Sequence, residues 1–509
     1  FDMFPELSIP YCLGALNIKA EDIDIIVIDQ VSARWRVDMK KYFYEKVGGM
    51  FPRARVEVIN HHDAHAASAF FCSPFESAAV LVHDGSGEIY KSHLGVAAIE
   101  SDTLYRGAGT RLFSIQKTLH LRDGKWNPYT QGIGKLYSEI TYYLNLGKYN
   151  EGKTMGLAPY GTDVLLRQFP PEMWYREVNG HLLCNARRFY PRGSLTKRVT
   201  RKRKSVVEFI DVARSFLRMG MKRIIRPRIF RWLDKYYSKD MFMEPTIFPE
   251  LRLPRPPRTN EQLPDEYYSS VAYAVQKVFE TVACKKAELL KNITGAENLC
   301  VAGGCGLNID SNAKFLFDVG YKNVFIQPGA SDTGIALGCA LWGWHVVLNK
   351  PRYWVMKSAD LGRTYSEAEI REALNSAGSK IVFRKSADVA KETAQFIADG
   401  TIVGWFYGGA EYGPRSLGNR SILCDARHPD MRDIANNKVK HREPWRPFAA
   451  SVLNEHAREW FELECESPFM LLAANVKKDK RGKIPSVTHV DGACRIQTVT
   501  KKENGRYYD

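Results

Sequence analysis

The chain has 509 residues, 45% of them hydrophobic and 26% charged, and a net charge of +16. That length exceeds one typical domain and can bury large cores, so two or three lobes are expected. No apolar run approaches the ~20 residues that a membrane-spanning helix needs, and no signal peptide is visible. The ten cysteines show no C-x-x-C spacing, so they read as reduced core residues of a cytoplasmic protein.

In chain order, a helix-like piece precedes a strand at Ile23 to Ile28. Val56-Glu57-Val58-Ile59 alternates as a strand does, and the Ala-rich run closing on Phe70-Phe71 favours helix. His61-His62-Asp63-Ala64-His65 therefore falls at a helix N-terminus. Histidines four apart point two imidazoles the same way, a geometry able to grip a metal. The zinc-protease pattern needs Glu directly after the first histidine, and His62 stands there instead. Taken alone, such a pair arises more often by chance or for structure than to hold a metal.

Ala78 to Val82, the turn His83-Asp84-Gly85-Ser86-Gly87-Glu88, and Ile89 to Ala98 read as strand, tight turn, strand. Asp84 would stand beside glycines that admit a phosphate or a hydrated cation, or else in a plain surface hairpin. A helix-like stretch from Tyr267 to Leu290 leads to Val301-Ala302-Gly303-Gly304-Cys305-Gly306-Leu307-Asn308, a strand entering a Gly-rich turn. Pro328 to Gly338 sets the acidic Asp332 before a small-residue helix. Together these turns point to a nucleotide cleft.

The second half reads as helix from Tyr365, strand at Ile381-Val382-Phe383, helix from Ala387 to Ile397, and strand at Ile402 to Phe406. This order suits a compact α+β domain. Cations then crowd: Arg415, Arg420, Arg427, Lys440, Arg442, Arg446 and Arg495. Guanidinium forks match phosphates and carboxylates. Gly413-Pro414-Arg415 and Pro444-Trp445-Arg446-Pro447-Phe448 set arginines among rigid and aromatic neighbours, which favours burial over solvation. Much of the excess charge lies between Arg187 and Arg258, around an amphipathic helix expected from Val206 to Arg218. Such an insert suits a solvated lid, a peripheral membrane contact or a phosphorylated acceptor. RNA ranks lowest, because no repeated aromatic platform separates the basic runs.

The order HHDAHAASAFF, HDGSGE, EGKTMGLAPYG, GGCGLN, PGASDTG, GAEYGPRSLGNRSIL, KHREPWRPFAASVL and RIQTVT resembles the O-carbamoyltransferases of the nodulation-protein NodU and cephamycin CmcH type, through nearly the whole chain. The resemblance implies an α/β and α+β fold. An actin-like ATPase domain (ASKHA, TsaD-like) would cover 1–355 with the basic insert at about 187–258, and a YrdC-like domain 356–509. It implies ATP and carbamoyl phosphate as substrates, carbamoyl adenylate as intermediate, and a hydroxyl of a small molecule or sugar as acceptor. His61, His65, Asp84 and Asp332 would be metal ligands. Their mixed N/O donors, without thiolate, suit Fe(II), with Mg accompanying ATP.

By the same resemblance, Gly303, Gly304 and Asn308 would contact nucleotide, Gly85, Ser86 and Gly87 would lie near its phosphates, and Lys153 would be a charge partner. Arg415, with Lys440 and Arg442 of a K-x-R pattern, would act in adenylation, helped by Arg420, Arg446 and Arg495. His62 and His83 would accept a proton or orient a ligand, and Cys305 reads as packing. Two family elements, an N-terminal HDxSA unit and a C-terminal S-x-N segment, have no counterpart, so the chain is expected to be a fragment whose second domain is C-terminally incomplete. Three competing readings stand. A tRNA threonylcarbamoyl transferase would lack the fused GPRSLGNRS and KHREPWRPF region, a non-catalytic actin-fold ATP-binding regulator would need no paired histidines, and the third is a basic RNA-binding scaffold.

Overall fold

The computed structural model describes residues 7–30, 39–91, 97–122, 130–185, 241–242 and 251–509. The chain opens with α1 (Ser8–Leu16), β1 (Ile25–Gln30), α2 (Met39–Val47) and β2 (Arg55–Asn60). β1 and β2 pair in parallel, with Asp29 opposite Ile59 and Gln30 opposite Asn60. Phe43, Phe51, Ala54 and Val56 give this unit a small core of its own. β2 runs straight into α3 (His61–Phe70), where the Asn60 side chain accepts from the His62 and Asp63 N–H groups and caps the helix. Asp63 apart, every residue of α3 is buried, His61, His62 and His65 included.

The strands that follow are β3 (Ser77–His83), β4 (Ile89–Lys91), β5 (Ala97–Ala108), β6 (Arg111–Arg122), β7 (Thr130–Gln131), β8 (Tyr175–Val178), β9 (His181–Asn185), β10 (Met241–Phe242), β11 (Asn298–Ala302) and β12 (Asn323–Ile326). The central sheet has the order β10-β6-β5-β3-β11-β12, with β4 beside β5. β3, β11 and β12 are parallel, while β5 runs against both β3 and β6. The expected strand-turn-strand around Asp84 is not a hairpin. β3 pairs with β5 and β11, and β4 with β5. The Asp84 N–H donates to the Ser101 carbonyl at 3.0 Å, which holds the turn inside the fold.

Around the sheet lie α4 (Ile133–Tyr143), α5 (Glu151–Leu157), α6 (Glu266–Thr294), α7 (Ile309–Phe317) and α8 (Ile335–Trp342). α6 spans 29 residues from an Asp265 cap to Gly295 at φ 63°, a left-handed end that suits glycine. Further on come α9 (Glu367–Ser376), α10 (Val389–Ala398), the antiparallel pair β13 (Val403–Phe406) and β14 (Arg420–Leu423), and a sheet ordered β15-β17-β16 from β15 (Ala449–Leu453), β16 (Leu472–Asn475) and β17 (Ala493–Val499).

The strand expected at Ile381-Val382-Phe383 does not form. The described residues offer it no pairing neighbour, and Val382 is fully exposed. β-Branched composition without a partner does not make a strand. One buried cluster crosses position 355 and unites Val278 and Leu299 with Trp445, Leu471 and Ile496. By contrast α9 and α10 bury no residue, and Ile370, Phe383, Phe396 and Phe406 are exposed. The expected basic insert, with its helix from Val206 to Arg218, lies outside the described residues except at 241–242 and 251–258. No helix among the described residues is long and apolar enough to cross a membrane.

Candidate active site

The histidines of α3 meet two carboxylates from distant parts of the chain. Asp84 follows the end of β3, one strand away from the Gly-rich turn after β11. There the Gly304 N–H donates to Asp84 Oδ1 at 3.0 Å. Gly303 has φ +90°, and a Cβ on it would meet the His83 carbonyl oxygen at 2.3 Å, so this close approach requires glycine. Asp332 lies on the turn before α8. α8 and α3 touch backbone to backbone at Gly338, where a Cβ would lie 1.9 Å from the Ala64 carbonyl oxygen.

The result is a quartet of His61, His65, Asp84 and Asp332 whose ligand atoms all lie within 4.8 Å of one another. His61 Nε2 is 3.5 Å from Asp332 Oδ1 and 3.8 Å from Asp84 Oδ2, and His65 Nε2 is 3.7 Å from Asp332 Oδ1. Donors held 2.0–2.2 Å from one cation sit roughly 3–4 Å apart, so these separations fit a metal ion. Both ring nitrogens of His65 are buried without a hydrogen-bond partner, a costly state that a ligand role would relieve.

Charge points the same way. Burial would lower the His61 pKa, yet Asp29, Asp332 and Asp84 overcome it and push it up to about 10. The same two histidines hold Asp332 well below the usual carboxylate range. The cluster therefore stabilises a positive charge at its centre, which a proton or a cation can supply.

Around the quartet lies a buried polar layer. His62 Nδ1 is 2.8 Å from Thr103 Oγ1 and 3.3 Å from Glu100 Oε1. Burial would raise the Glu100 pKa, but His62, Lys117 and Thr103 hold it well below the ordinary value. His83 Nε2 faces Asp102 at 3.2 Å, and Lys286 Nζ lies 2.7 Å from the other Asp102 oxygen. Burial first, then Lys286, pushes the His83 pKa down to about 3, so the ring is neutral. Burial likewise raises the Cys305 thiol well above its ordinary range. Its Sγ would be 2.7 Å from a Cβ at Gly134, in keeping with a packing role.

A second centre gathers Arg415, Arg442, Arg446 and Arg495. Burial first, then Arg415, Arg442 and Arg446, lowers the Arg495 pKa to about 9. Arg442 falls to about 10 through burial and Arg446. Burial and Arg446 lower Arg415, and burial with Arg442 and Arg446 lowers Lys440. The Nε atoms of Arg415 and Arg495 are buried without a partner. A nearby carboxylate, Glu443, is held by Lys153 Nζ at 2.5 Å and is 3.7 Å from Arg446. Positive charge without equal counter-charge is the chemistry that suits an anion.

The loop bearing Arg415 also touches the turn that carries Asp332. The Tyr412 hydroxyl donates to the Thr333 carbonyl at 3.2 Å, and a Cβ on Gly329 would lie 2.8 Å from the Tyr412 ring.

Other expected residues have partners within the protein. Lys153 stands on α5, paired with Glu443. Arg420 donates to the carbonyls of Tyr407, Gly408 and Asn419 and stacks on Phe406, so its guanidinium braces the β13–β14 pair. Arg427 pairs with Asp425. The Asn308 side chain caps α7 through the Ser311 N–H at 3.1 Å and bonds Gln276. Gly87 lies against His62, whose Nε2 would be 2.4 Å from a Cβ there. Gly85 packs against Gly134, where a Cβ would meet its Cα at 3.0 Å. Sequence reasoning missed Asp29, Glu100, Asp102, Lys286 and Tyr412. An aspartate closing an apolar strand, as in Ile25-Ile26-Val27-Ile28-Asp29, was the available signal for the first.

Two family models match the chain: Carbamoyltransferase N-terminus over residues 46–169 and 237–341, and Carbamoyltransferase C-terminus over 394–509. An uncharacterized protein of Synechocystis sp. is 33% identical over 99% of this chain and 81% of its own length. The chain belongs to the carbamoyltransferase family. The nodulation protein NolO of Bradyrhizobium diazoefficiens is 31% identical, covering 89% of this carbamoyltransferase and 69% of NolO. Nodulation protein NolNO of Sinorhizobium fredii is 31% identical over 99% of the chain, which spans 66% of that relative. Among solved structures, T. kodakarensis HypF aligns with a TM-score of 0.31 at 12% identity, covering 67% of this chain and 43% of HypF, too slight a likeness to bear on the fold. The His/Asp quartet of this carbamoyltransferase falls within the N-terminal match and the four arginines within the C-terminal one.

Proposed function

We propose that the chain is an ATP-dependent O-carbamoyltransferase. It would activate the carbamoyl group of carbamoyl phosphate as carbamoyl adenylate and pass it to a hydroxyl of a small-molecule or sugar acceptor. An actin-like ATPase lobe followed by a YrdC-like lobe is the architecture this reading implies. One observation carries it: a single chain holds a carboxylate-rich His/Asp centre and an arginine cluster short of counter-charge, and one loop touches both.

In the first stage water cleaves carbamoyl phosphate to carbamate and inorganic phosphate, and a carbamate oxygen attacks the α-phosphorus of ATP. A carbamate O–P bond forms, and the bond to pyrophosphate breaks with its electron pair. Arg415, Arg442, Arg446, Arg495 and Lys440 hold these anions together and neutralise the charge that otherwise opposes attack. In the second stage the acceptor oxygen bonds the carbamoyl carbon, AMP departs with the C–O electrons, and the hydroxyl proton passes to solvent. Gly85, Ser86, Gly87, Gly303 and Gly304 keep backbone close to the nucleotide. His61, His65, Asp84 and Asp332 would hold a divalent cation, Fe(II) by its mixed N/O donors, which when bound supplies Lewis acidity at the carbamoyl carbonyl.

The test supplies the full-length protein with labelled carbamoyl phosphate, ATP and Fe(II), with and without hydroxyl acceptors. Labelled carbamoyl adenylate should form, and H61A should still form it while losing transfer. No adenylate under any of these conditions overturns the reading.

A further inference from the structure

We infer that Asp29 is a positioning residue of the metal centre, fixing which nitrogen of His61 faces the cation. The inference rests on the metal site proposed above. Asp29 Oδ2 lies 3.0 Å from His61 Nδ1. An imidazole that donates its Nδ1 proton to a carboxylate keeps its lone pair on Nε2. Nε2 is the atom turned toward Asp84 and Asp332, at 3.8 and 3.5 Å. Such a carboxylate fixes the ring's orientation and raises its strength as a donor. His65 has no equivalent, since its Nδ1 is buried and unpartnered. The two histidines are therefore unlike: one is braced from behind, and the other is held by packing alone.

The fold delivers Asp29 to this place by register. Val27 and Asp29 share one face of β1, two residues apart. Val27 packs on the cluster of Ile59, Ala64, Ile335 and Cys339 between α3 and α8, and it approaches Gly343, where a Cβ would lie 2.9 Å from the Val27 side chain. Asp29 emerges next along that face, opposite Ile59 and one step short of the α3 cap. The β1–β2 pair lies outside the central sheet and supplies none of the quartet. Bracing His61 is thus what this unit brings to the centre.

Co(II) is the probe, titrated into metal-free full-length protein against a chromophoric chelator while its visible d–d bands are recorded. Wild type should bind Co(II), and H65A should lose a ligand and change the spectrum. D29A should weaken binding about 10- to 100-fold and alter the band envelope. D29N keeps an acceptor oxygen but no charge, so it should fall between. A D29A that fails to fold leaves D29N to decide, and D29N must then lose at least several-fold in affinity. Wild-type affinity and spectrum in the folded Asp29 variants overturn the inference and leave the metal site standing. Failure of wild type to take up Co(II) overturns both.

Discussion

Replacing Arg495 by methionine is expected to make the ligand-free protein more stable while destroying its anion site. Arg495 stands half-buried on β17, its Nε atom is buried without a partner, and three other arginines add to the penalty of burial. Its pKa falls from 12.5 to about 9. At ~1.4 kcal/mol per pH unit, that drop caps the penalty at ~5 kcal/mol. The sign follows from proton binding. A base with a depressed folded pKa is charged in both states below pH 9, so the penalty is complete at neutral pH and fades as pH rises toward 12.5. Relaxation and the changed shape of methionine absorb part of the gain, leaving ~1–3 kcal/mol of stabilisation.

The assay is denaturant unfolding at roughly neutral pH, where the penalty applies in full, with and without pyrophosphate. Pyrophosphate at about 100 times its Kd should stabilise wild type by ~2.7 kcal/mol and R495M by almost nothing. A ligand-free R495M less stable than wild type by more than ~1 kcal/mol would mark Arg495 as structural. Equal stabilisation of both proteins by pyrophosphate would refute the anion site.

His120 is buried among Ser101 and Thr130, and burial holds its pKa near 3 against an ordinary 6.5. The unfolded chain therefore binds a proton first, so stability should fall as pH drops from 6.5 toward 3, by of order 3 kcal/mol. H120N should flatten that part of a stability-versus-pH series, and an unchanged slope would contradict it. K286M strands the buried Asp102 carboxylate that Lys286 faces at 2.7 Å. It should cost ~3–5 kcal/mol in urea unfolding, with K286M/D102N recovering much of it; a K286M within ~1 kcal/mol of wild type would sink this. G338A forces α3 and α8 apart, since its Cβ would lie 1.9 Å from the Ala64 oxygen. It should lose ~1–3 kcal/mol and weaken Co(II) uptake, and intact uptake would show that the α3–α8 contact does not set the quartet.

The histidine pair was legible because it is local: a four-residue spacing at a strand-to-helix junction announces itself. Asp84 and Asp332 were not legible from spacing, and only family resemblance joined them to His61. What unites them physically is the parallel pairing of β3 with β11 and a backbone contact at Gly338, neither of which leaves a periodic trace. The cation-rich second half was visible, but not which cations would converge. Arg495 and Arg420 both sit on strands, yet one is buried unpaired and the other caps three carbonyls. Lys286 hid beside Lys285 in a helix whose doubled lysine reads as surface, although it turns inward to Asp102. The Lys153 pairing with Glu443 left no trace in spacing, because Glu443 lies in a distant segment.

The two centres have opposite electrostatic needs, and that complementarity bears on why they share a chain. The quartet draws positive charge in, while the arginine cluster demands an anion. A phosphate-bearing acyl donor, anionic at phosphorus and electrophilic at its carbonyl, satisfies one need with each end. The loop carrying Arg415 is built stiff enough to relate them. Glu411 accepts from the N–H groups of Leu417, Asn419 and Arg420. Gly413 at φ +103° would clash with the Pro328 carbonyl if it bore a Cβ, and Tyr412 bonds the turn that presents Asp332. Arg415 and Asp332 are thus tied through one short run of backbone, joined where the Tyr412 hydroxyl donates to the Thr333 carbonyl.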